Sequence, residues 1–250
     1  DFEKPTVSVE EATAEEEKFG VVGALGQLVD REDIDEDTLV IAGDNLFSFD
    51  ISEFIDTFEE YGRTTIAAYD VGSRERATQY GVIDVENDRV VDFQEKPDDP
   101  TPMPNDPERC LVSMGIYCFD SESLNDYLRA DAEAENSSHD FGNDILPKMV
   151  ESGAKVQAHW FEDENRGTPE TERYWRDVGT VKNFYEANMD LVSVSPRFNL
   201  YDRRWPIRTY HGQHPPAKFV FDDDDRRGHA LDSIVSQGTI LSGGVARRSV

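Results

Sequence analysis

The sequence predicts an α/β fold in which a mixed, mostly parallel sheet is followed by the start of a parallel β-helix. Three observations support this prediction: an apolar run that ends in Gly-Asp-Asn, a strand-helix-strand pattern, and a six-residue repeat close to the last residue. The apolar run covers residues 39–42. An uninterrupted run of this kind is typical of a strand that is buried on both faces of a parallel sheet.

Asp44 lies directly behind that strand, between Gly43 and Asn45. In open α/β sheets, ligands bind beyond the carboxyl ends of the strands, so a carboxylate here lies where a metal ion or a phosphate group would bind. A Gly-Asp-Asn turn without a chemical role is the alternative. The stretch alone leaves both interpretations open.

The next elements follow from apolar spacing. Residues 20–29 predict a helix, in which Gly20 either admits a ligand close to the backbone or serves helix packing. Residues 52–61 predict an amphipathic helix with Ser52 as its N-cap, and residues 64–69 predict a strand. A strand-helix-strand unit winds right-handed and favours a parallel sheet.

Glu95 and Lys96 follow a hairpin that we predict over residues 80–93. Pro97 excludes Lys96 from a helix, so we expect the two side chains next to each other on an extended segment. A carboxylate that accepts hydrogen bonds from sugar hydroxyls and an ammonium group that meets a phosphate would form a sugar-phosphate clamp. A surface ion pair is the alternative.

The second half of the chain continues the alternation of strands and helices. Residues 111–119 predict the longest strand, with Ser113 where a bulky side chain would block a ligand. Four further elements are predicted: a helix over 123–128, a helix over 140–150 with Asp140 as its N-cap, a strand over 155–161 and a helix over 181–193.

Asp177 lies shortly before the last of these helices, which Thr180 can cap. If the two strand ends are neighbours, the carboxylate of Asp177 points toward the same face as that of Asp44. Two separate carboxylates are a common way to hold Mg²⁺, which usually keeps several waters. A single Asp before a helix is more often a capping group, so the combination with Asp44 is what favours a metal site.

The net charge of −28 is extreme, and the chain has only 7 Lys against 18 Arg. A surface rich in Asp and Glu keeps a protein hydrated in concentrated salt, where self-repulsion is screened, so we expect a halophilic source. Such a surface argues against nucleic-acid binding. No apolar run is long enough for a membrane span, and we expect a soluble, cytoplasmic protein without membrane contact.

Two further patterns concern cysteines and a repeat. Cys110 and Cys118 lie eight residues apart in one predicted strand, roughly 26 Å if extended, so a disulfide is excluded and buried thiols are expected. Residues 233–245 repeat with a period of six, since Ile234 corresponds to Ile240. A six-residue period is the signature of a parallel β-helix.

Eight motifs occur in one order along the chain: AGDN, YGVID, FQEKP, SMGIYCFD, ENSSHDFGNDILPKMVE, YWRDVGT, YDRRWPIRTY and PPAKFVFDDDDRRG. This series resembles that of the sugar-1-phosphate nucleotidyltransferases, and most closely that of their glucose-1-phosphate adenylyltransferase branch. The resemblance implies a Rossmann-like sheet of the nucleotide-diphospho-sugar transferase type and a left-handed β-helix. It implies synthesis of ADP-glucose and pyrophosphate from ATP and glucose 1-phosphate, a step that supplies glycogen synthesis.

The resemblance also implies roles for individual residues. Asp44 and Asp177 would hold Mg²⁺ and would be catalytic together with Lys96, which contacts the phosphate of the sugar substrate. The remaining substrate-binding residues would be Gly81, Glu95 and Ser113 for the sugar phosphate and Gly20 for the nucleotide.

Two departures from the family pattern concern the nucleotide. Val21 and Val22 follow Gly20 where the family has Thr and Ala, so Val21 offers no hydroxyl. No Gly-rich loop that ends in Arg occurs in residues 1–19. We therefore expect either a fragment of a longer protein, inactive on its own, or a catalytically incomplete protein.

We predict a catalytic domain over residues 1–194 that is incomplete at its N-terminal side, a linker over 195–227 and the beginning of the β-helix over 228–250. Because the β-helix of the family mediates oligomer contacts and allosteric control, the resemblance implies a homotetramer and an unidentified effector. Two alternatives remain, a thymidylyl or guanylyl transferase and a non-catalytic regulatory subunit. The missing loop and Val21 favour the second, and the two putative metal carboxylates oppose it.

Overall fold

The computed structural model describes residues 7–9, 18–48, 51–161, 174–203, 206–209, 212–223 and 225–250. Contacts divide the chain into a first unit, Asp1–Ala42 with Asp50–Phe161, and a second unit, Gly43–Phe49 with Glu162–Val250. Parts of the predicted pattern lie outside the described residues. They are the strand-like and charged segments within residues 1–6 and 10–17, and Arg204, Trp205, Tyr210 and Asp224 of the last two motifs.

Strands and helices alternate through most of the first unit. The strands of the chain are β1 Thr38–Ile41, β2 Asn45–Phe47, β3 Thr65–Asp70, β4 Gly81–Glu86, β5 Arg89–Glu95, β6 Leu111–Phe119, β7 Gln157–Trp160, β8 Trp175–Asp177, β9 Lys218–Val220, β10 Asp222–Asp223, β11 Arg226–Arg227, β12 His229–Leu231, β13 Ile240–Ser242 and β14 Val245–Arg247. The helices are α1 Gly20–Glu32, α2 Ile51–Tyr61, α3 Arg74–Ala77, α4 Ser121–Ala132, α5 Leu146–Glu151 and α6 Val181–Leu191, with a π-helical turn at Phe141–Ile145.

Six of these strands form a mixed sheet in the order β1, β6, β3, β7, β5, β4. β3 and β7 are parallel. β6 is antiparallel to β1 and β3, and β5 is antiparallel to β7 and β4. The predicted mixed α/β sheet is confirmed. The prediction that it is mostly parallel is wrong for the described strands, because β6 lies between β1 and β3 and runs opposite to both.

The burial of β1 also differs from the prediction. Leu39 and Val40 are only half-buried, and Ile41 is 39% exposed. Among the described residues β1 pairs on one side alone, with β6, so it is an edge strand and not the doubly buried strand that its apolar run predicts. A second correction concerns Ser52, which lies inside α2 rather than at its N-cap because the helix begins at Ile51.

The core of the first unit forms where the helices cover the sheet. α1 buries Val22 and Val29, and α2 buries Phe54 and Phe58 at helical spacing. An aromatic cluster joins β6 to the π-helical turn, with ring centroids of Tyr117 and Phe141 5.3 Å apart and those of Phe119 and Phe141 5.6 Å apart. This cluster fixes the turn beside the strand that carries Ser113.

Several predicted elements are confirmed closely. β6 has the predicted bounds, and the hairpin is formed by β4 and β5. The predicted helix over 140–150 divides into the π-helical turn and α5. Cys110 and Cys118 are buried and form no disulfide, as expected.

The second unit contains short strands and one long helix. Thr180 caps α6, since its hydroxyl accepts from the N–H of Asn183 at 3.1 Å, as predicted. Two pairs of strands are parallel, β9 with β13 and β12 with β14, as in stacked coils of a parallel β-helix. In the part of the chain that the structure describes, every helix is too short or too polar to cross a bilayer.

Candidate active site

Asp44 and Asp177 lie together in the second unit because two short strands pair there. β2 and β8 are antiparallel, with Asn45 opposite Asp177, and the N–H of Val178 donates to the carbonyl oxygen of Asp44 at 2.8 Å. A Cβ atom built on Gly179 would lie 2.9 Å from Oδ2 of Asp44 and 3.0 Å from Oδ1 of Asp177. The two carboxylates therefore converge on space that a glycine leaves open.

The donor set of this pair suits a hard cation such as Mg²⁺, which prefers carboxylate oxygens and water. Both side chains are oriented by hydrogen bonds: Oδ1 of Asp44 accepts from Nδ2 of Asn45 at 3.1 Å, and Oδ1 of Asp177 accepts from the N–H of Gly179 at 2.5 Å. Oδ1 of Asn45 is buried without a hydrogen-bond partner among the described residues.

The described residues contain no group of three or more His, Cys, Asp or Glu that could hold a metal ion. The pair of Asp44 and Asp177 therefore fits an ion that takes its other ligands from water and from substrate, as Mg²⁺ does in phosphate-binding sites.

Glu95 and Lys96 belong to the first unit and form an ion pair, with Nζ of Lys96 2.8 Å from Oε1 of Glu95. The side chain of Glu95 is 17% exposed and that of Lys96 is 64% exposed. Lys96 has a left-handed backbone with φ of +44°, so the predicted extended geometry is wrong at this residue. The ion pair is the predicted alternative, and the exposure of Lys96 leaves its ammonium group accessible to a second anion.

Two glycines leave room for the carboxylate of Glu95. A Cβ atom on Gly81 would lie 3.1 Å from Oε2 of Glu95 and 2.5 Å from Cζ of Phe93. A Cβ atom on Gly142, in the π-helical turn, would lie 2.8 Å from Cδ of Glu95. The carboxylate is thus held between β4 and the turn, although these two elements are distant in sequence.

Ser113 adds a hydroxyl pair to the first unit. Its Oγ donates to the hydroxyl of Tyr117 at 3.2 Å and accepts from the N–H of Gly115 at 3.3 Å. Burial raises the pKa of Tyr117 to about 12, against the hydrogen bond from Ser113 and with the help of the negative charges of Glu95 and Asp140. The phenol therefore keeps its proton at neutral pH and remains a hydrogen-bond donor.

Gly20 lies at the start of α1 with a left-handed φ of +69°. A Cβ atom there would lie 2.7 Å from the carbonyl oxygen of His139 and 3.0 Å from that of Ser138. Close packing on this backbone accounts for the glycine, and a contact with the nucleotide stays a prediction.

Sequence reasoning missed Tyr117 and Gly142 and gave Asp140 only a capping role. Tyr117 was detectable, because residues two and four positions apart on a strand share a face and Ser113 is four residues away. Gly142 gave no such signal, since its contact with Glu95 depends on the tertiary fold. The capping role of Asp140 is confirmed, since its Oδ1 accepts from the N–H groups of Gly142 and Asn143 at 2.9 and 3.0 Å.

Comparison with protein families gives two matches. The family described as nucleotidyl transferase matches residues 1–194, and the one described as GlmU-like, C-terminal hexapeptide, matches residues 215–250. The first match covers more than half of the chain and includes the residues of both groups described above.

Curated relatives carry the name glucose-1-phosphate adenylyltransferase. The protein of Shewanella sp. strain MR-4 is 45% identical over 235 residues, which are 92% of this chain and 55% of the relative. The protein of Rhodopirellula baltica is 49% identical over 220 residues, which are 86% of this chain and 48% of the relative. The protein of Alteromonas mediterranea is 44% identical over 92% of this chain and 53% of its own length. The chain spans about half the length of the curated relatives it matches.

Proposed function

Because the chain belongs to the nucleotidyl transferase family, we propose that it is part of an enzyme that makes ADP-glucose and pyrophosphate from ATP and glucose 1-phosphate, for glycogen synthesis. The observation that carries this proposal is the convergence of the carboxylates of Asp44 and Asp177 on the open space at Gly179. The names of the relatives support the choice of nucleotide and sugar.

The reaction is an in-line displacement at phosphorus. A phosphate oxygen of glucose 1-phosphate attacks the α-phosphorus of ATP, a new P–O bond forms, and the bond to the bridging oxygen breaks as pyrophosphate leaves with the electron pair. Transfers of this kind depend mainly on positioning and on charge stabilisation. A Mg²⁺ ion held by Asp44 and Asp177 would neutralise charge on the reacting phosphates.

The side chains of the first unit bind and orient the sugar phosphate. Glu95 is held in place by Gly81 and Gly142, so its carboxylate is preorganised to accept hydrogen bonds from sugar hydroxyls. Lys96 exchanges its partner, leaving Glu95 for the phosphate of the substrate, which its exposure permits. Ser113 contributes a hydroxyl to the same pocket, and Gly20 lies at the nucleotide.

The finer features of the assembly belong to the same proposal. The parallel pairs β9–β13 and β12–β14 begin a left-handed β-helix over residues 228–250, after a catalytic domain over residues 1–194 and a linker. The β-helix mediates a homotetramer and binding of an allosteric effector. The two free, buried cysteines fit a reducing compartment such as the cytoplasm.

The test is pyrophosphate release by the complete gene product in high salt, with Mg²⁺ and glucose 1-phosphate and with ATP, dTTP, GTP and UTP offered separately. We expect release with ATP alone. Release with another nucleotide would retain the mechanism and change the branch to a thymidylyl, guanylyl or uridylyl transferase. No release with any nucleotide would favour a regulatory subunit.

Two variants test the metal site in the same assay. Asp44→Asn and Asp177→Asn each remove a carboxylate without changing its size, and we expect turnover to fall at least about 100-fold with circular dichroism unchanged. Asp222→Asn is the matched control, because this exposed carboxylate of the second unit pairs with Arg227 at 2.9 Å. Near-normal Mg²⁺-dependent rates in both site variants would refute the metal assignment.

A further inference from the structure

The segment formed by residues 137–140 connects α4 to the π-helical turn, and a buried carboxylate holds one side of it. Asp131, near the end of α4, is 2% exposed. Its Oδ1 accepts from the hydroxyl of Ser137 at 2.5 Å, and its Oδ2 lies 2.6 Å from Nδ1 of His139. A carboxylate can only accept, so Nδ1 of His139 donates in this contact.

Asp144 holds the alternate residues of the same segment. Its Oδ2 accepts from the N–H and the hydroxyl of Ser138 at 3.1 and 2.6 Å and from the N–H of Asp140 at 3.1 Å. Burial alone would raise the pKa of Asp144, but these hydrogen bonds and the charge of Lys148 outweigh it and lower the pKa. The odd-numbered residues thus bind Asp131 and the even-numbered ones bind Asp144.

Lys148 joins the two carboxylates from α5. Its Nζ lies 3.7 Å from Oδ1 of Asp131 and 3.8 Å from Oδ1 of Asp144. One cation between two buried anions offsets part of their repulsion, and it leaves the hydrogen bonds to the segment intact. Asp131, Asp144 and Lys148 together form what we call the segment clamp.

The clamped segment supports two places that the proposed reaction uses. On one side, the carbonyl oxygen of His139 accepts from the N–H of Val22 in α1 at 2.9 Å, and Gly20 packs on the same carbonyl group. At its other end, Asp140 caps the turn that places Gly142 against Glu95. A shift of the segment would therefore move the start of α1 and the seat of Glu95 together.

We propose that the segment clamp is a shared support for the two substrate subsites, and that Asp131, Asp144 and His139 are positioning residues for both. This inference rests on the proposed function, because it takes Gly20 as part of the nucleotide subsite and Glu95 as part of the sugar-phosphate subsite. None of the three residues needs to touch a substrate.

The test measures binding and catalysis in variants of the complete gene product. His139→Ala removes the contact with Asp131, and we expect the dissociation constants for glucose 1-phosphate and for Mg²⁺-ATP, measured separately by calorimetry, each to rise about tenfold or more. His139→Asn should restore both affinities, since its amide can donate from the position of Nδ1 and Asn tolerates a left-handed backbone. This matters because φ of His139 is +56°.

His159→Ala is the matched control, as the second half-buried histidine of the first unit. Its Nδ1 lies 2.8 Å from the hydroxyl of Thr57, away from the segment, and we expect both affinities to stay unchanged. If His139→Ala does not fold, Asp131→Asn removes the same acceptor and is expected to give the same two shifts.

Three outcomes overturn the inference. A fall in kcat with both dissociation constants unchanged would give the segment a structural role only, and a shift in one constant alone would exclude a shared support. Failure of the unmodified protein to bind either ligand would refute the proposed function as well. Normal binding by the unmodified protein with normal affinities in His139→Ala would refute this inference and leave the proposed function standing.

Discussion

Glycine at position 179 is where a single missing atom matters most for the candidate metal site. The two carboxylates of Asp44 and Asp177 lie within 3.0 Å of the position that a Cβ atom would take. A contact below about 3.4 Å is closer than carbon and oxygen prefer, so one carboxylate would have to turn away. The site therefore depends on a residue that offers no ligand of its own.

Gly179→Ala is expected to weaken Mg²⁺ binding about tenfold without unfolding the protein. The physical reason is displacement of a carboxylate oxygen by the added methyl group. The measurement is the Mg²⁺ concentration that gives half-maximal activity, together with calorimetric Mg²⁺ binding. Gly26→Ala is the control, because a Cβ atom there would meet nothing within 4 Å. Equal Mg²⁺ affinities in both variants would contradict the proposed geometry.

The pKa of Asp144 predicts how stability depends on pH. Since the folded-state pKa is lowered from 3.8, its contribution to the free energy of unfolding is complete above that value and is lost as the pH falls through the lower folded value. Asp144→Asn should therefore flatten the decline of stability below about pH 4, measured by urea unfolding at a series of pH values.

Ser138→Ala is a graded companion to that variant. It keeps the carboxylate of Asp144 and removes the hydrogen bond at 2.6 Å, so it should flatten the same decline by a smaller amount. A decline as steep in Asp144→Asn as in the unmodified protein would show that other groups control acid unfolding.

At the scale of elements, the sequence predicted those whose signal is local. β6 is found with the predicted bounds because nine apolar or small residues continue without a break, and α6 begins where Thr180 offers a cap. The pairing of the strands is not a local property. An apolar run looks the same in an edge strand and in a central one, so the half-buried β1 and the position of β6 were not predicted.

The candidate site shows the same division. Asp44 and Asp177 were predictable, since each lies at a strand end and their proximity followed from an assumed neighbourhood of those ends. The seat of Glu95 was not, because Gly142 reaches it only through the packing of Phe141 against Tyr117 and Phe119. Short strands such as β2 and β8 exist only as a pair, and three residues carry too little pattern to predict them.

At the scale of the whole molecule, the net charge of −28 is the dominant property. The acids are spread along the chain, and many of them are exposed on helices such as α4. Repulsion among such charges opposes the compact state. Salt weakens that repulsion, since the screening length falls from about 10 Å at 0.1 M to about 3 Å at 1 M.

We therefore expect the complete gene product to be more stable and more active in molar salt. Its melting temperature should rise by about 5 °C or more between 0.1 and 2 M KCl, measured by differential scanning calorimetry. The matched variant replaces four exposed acids, Glu122→Gln, Asp126→Asn, Glu133→Gln and Glu135→Gln, and changes the net charge from −28 to −24. If repulsion is the cause, this variant needs less KCl to reach half of the same rise. A protein that is most stable and most active in dilute buffer would contradict the halophilic interpretation, and an equal salt requirement in both proteins would assign the effect to burial of apolar surface instead.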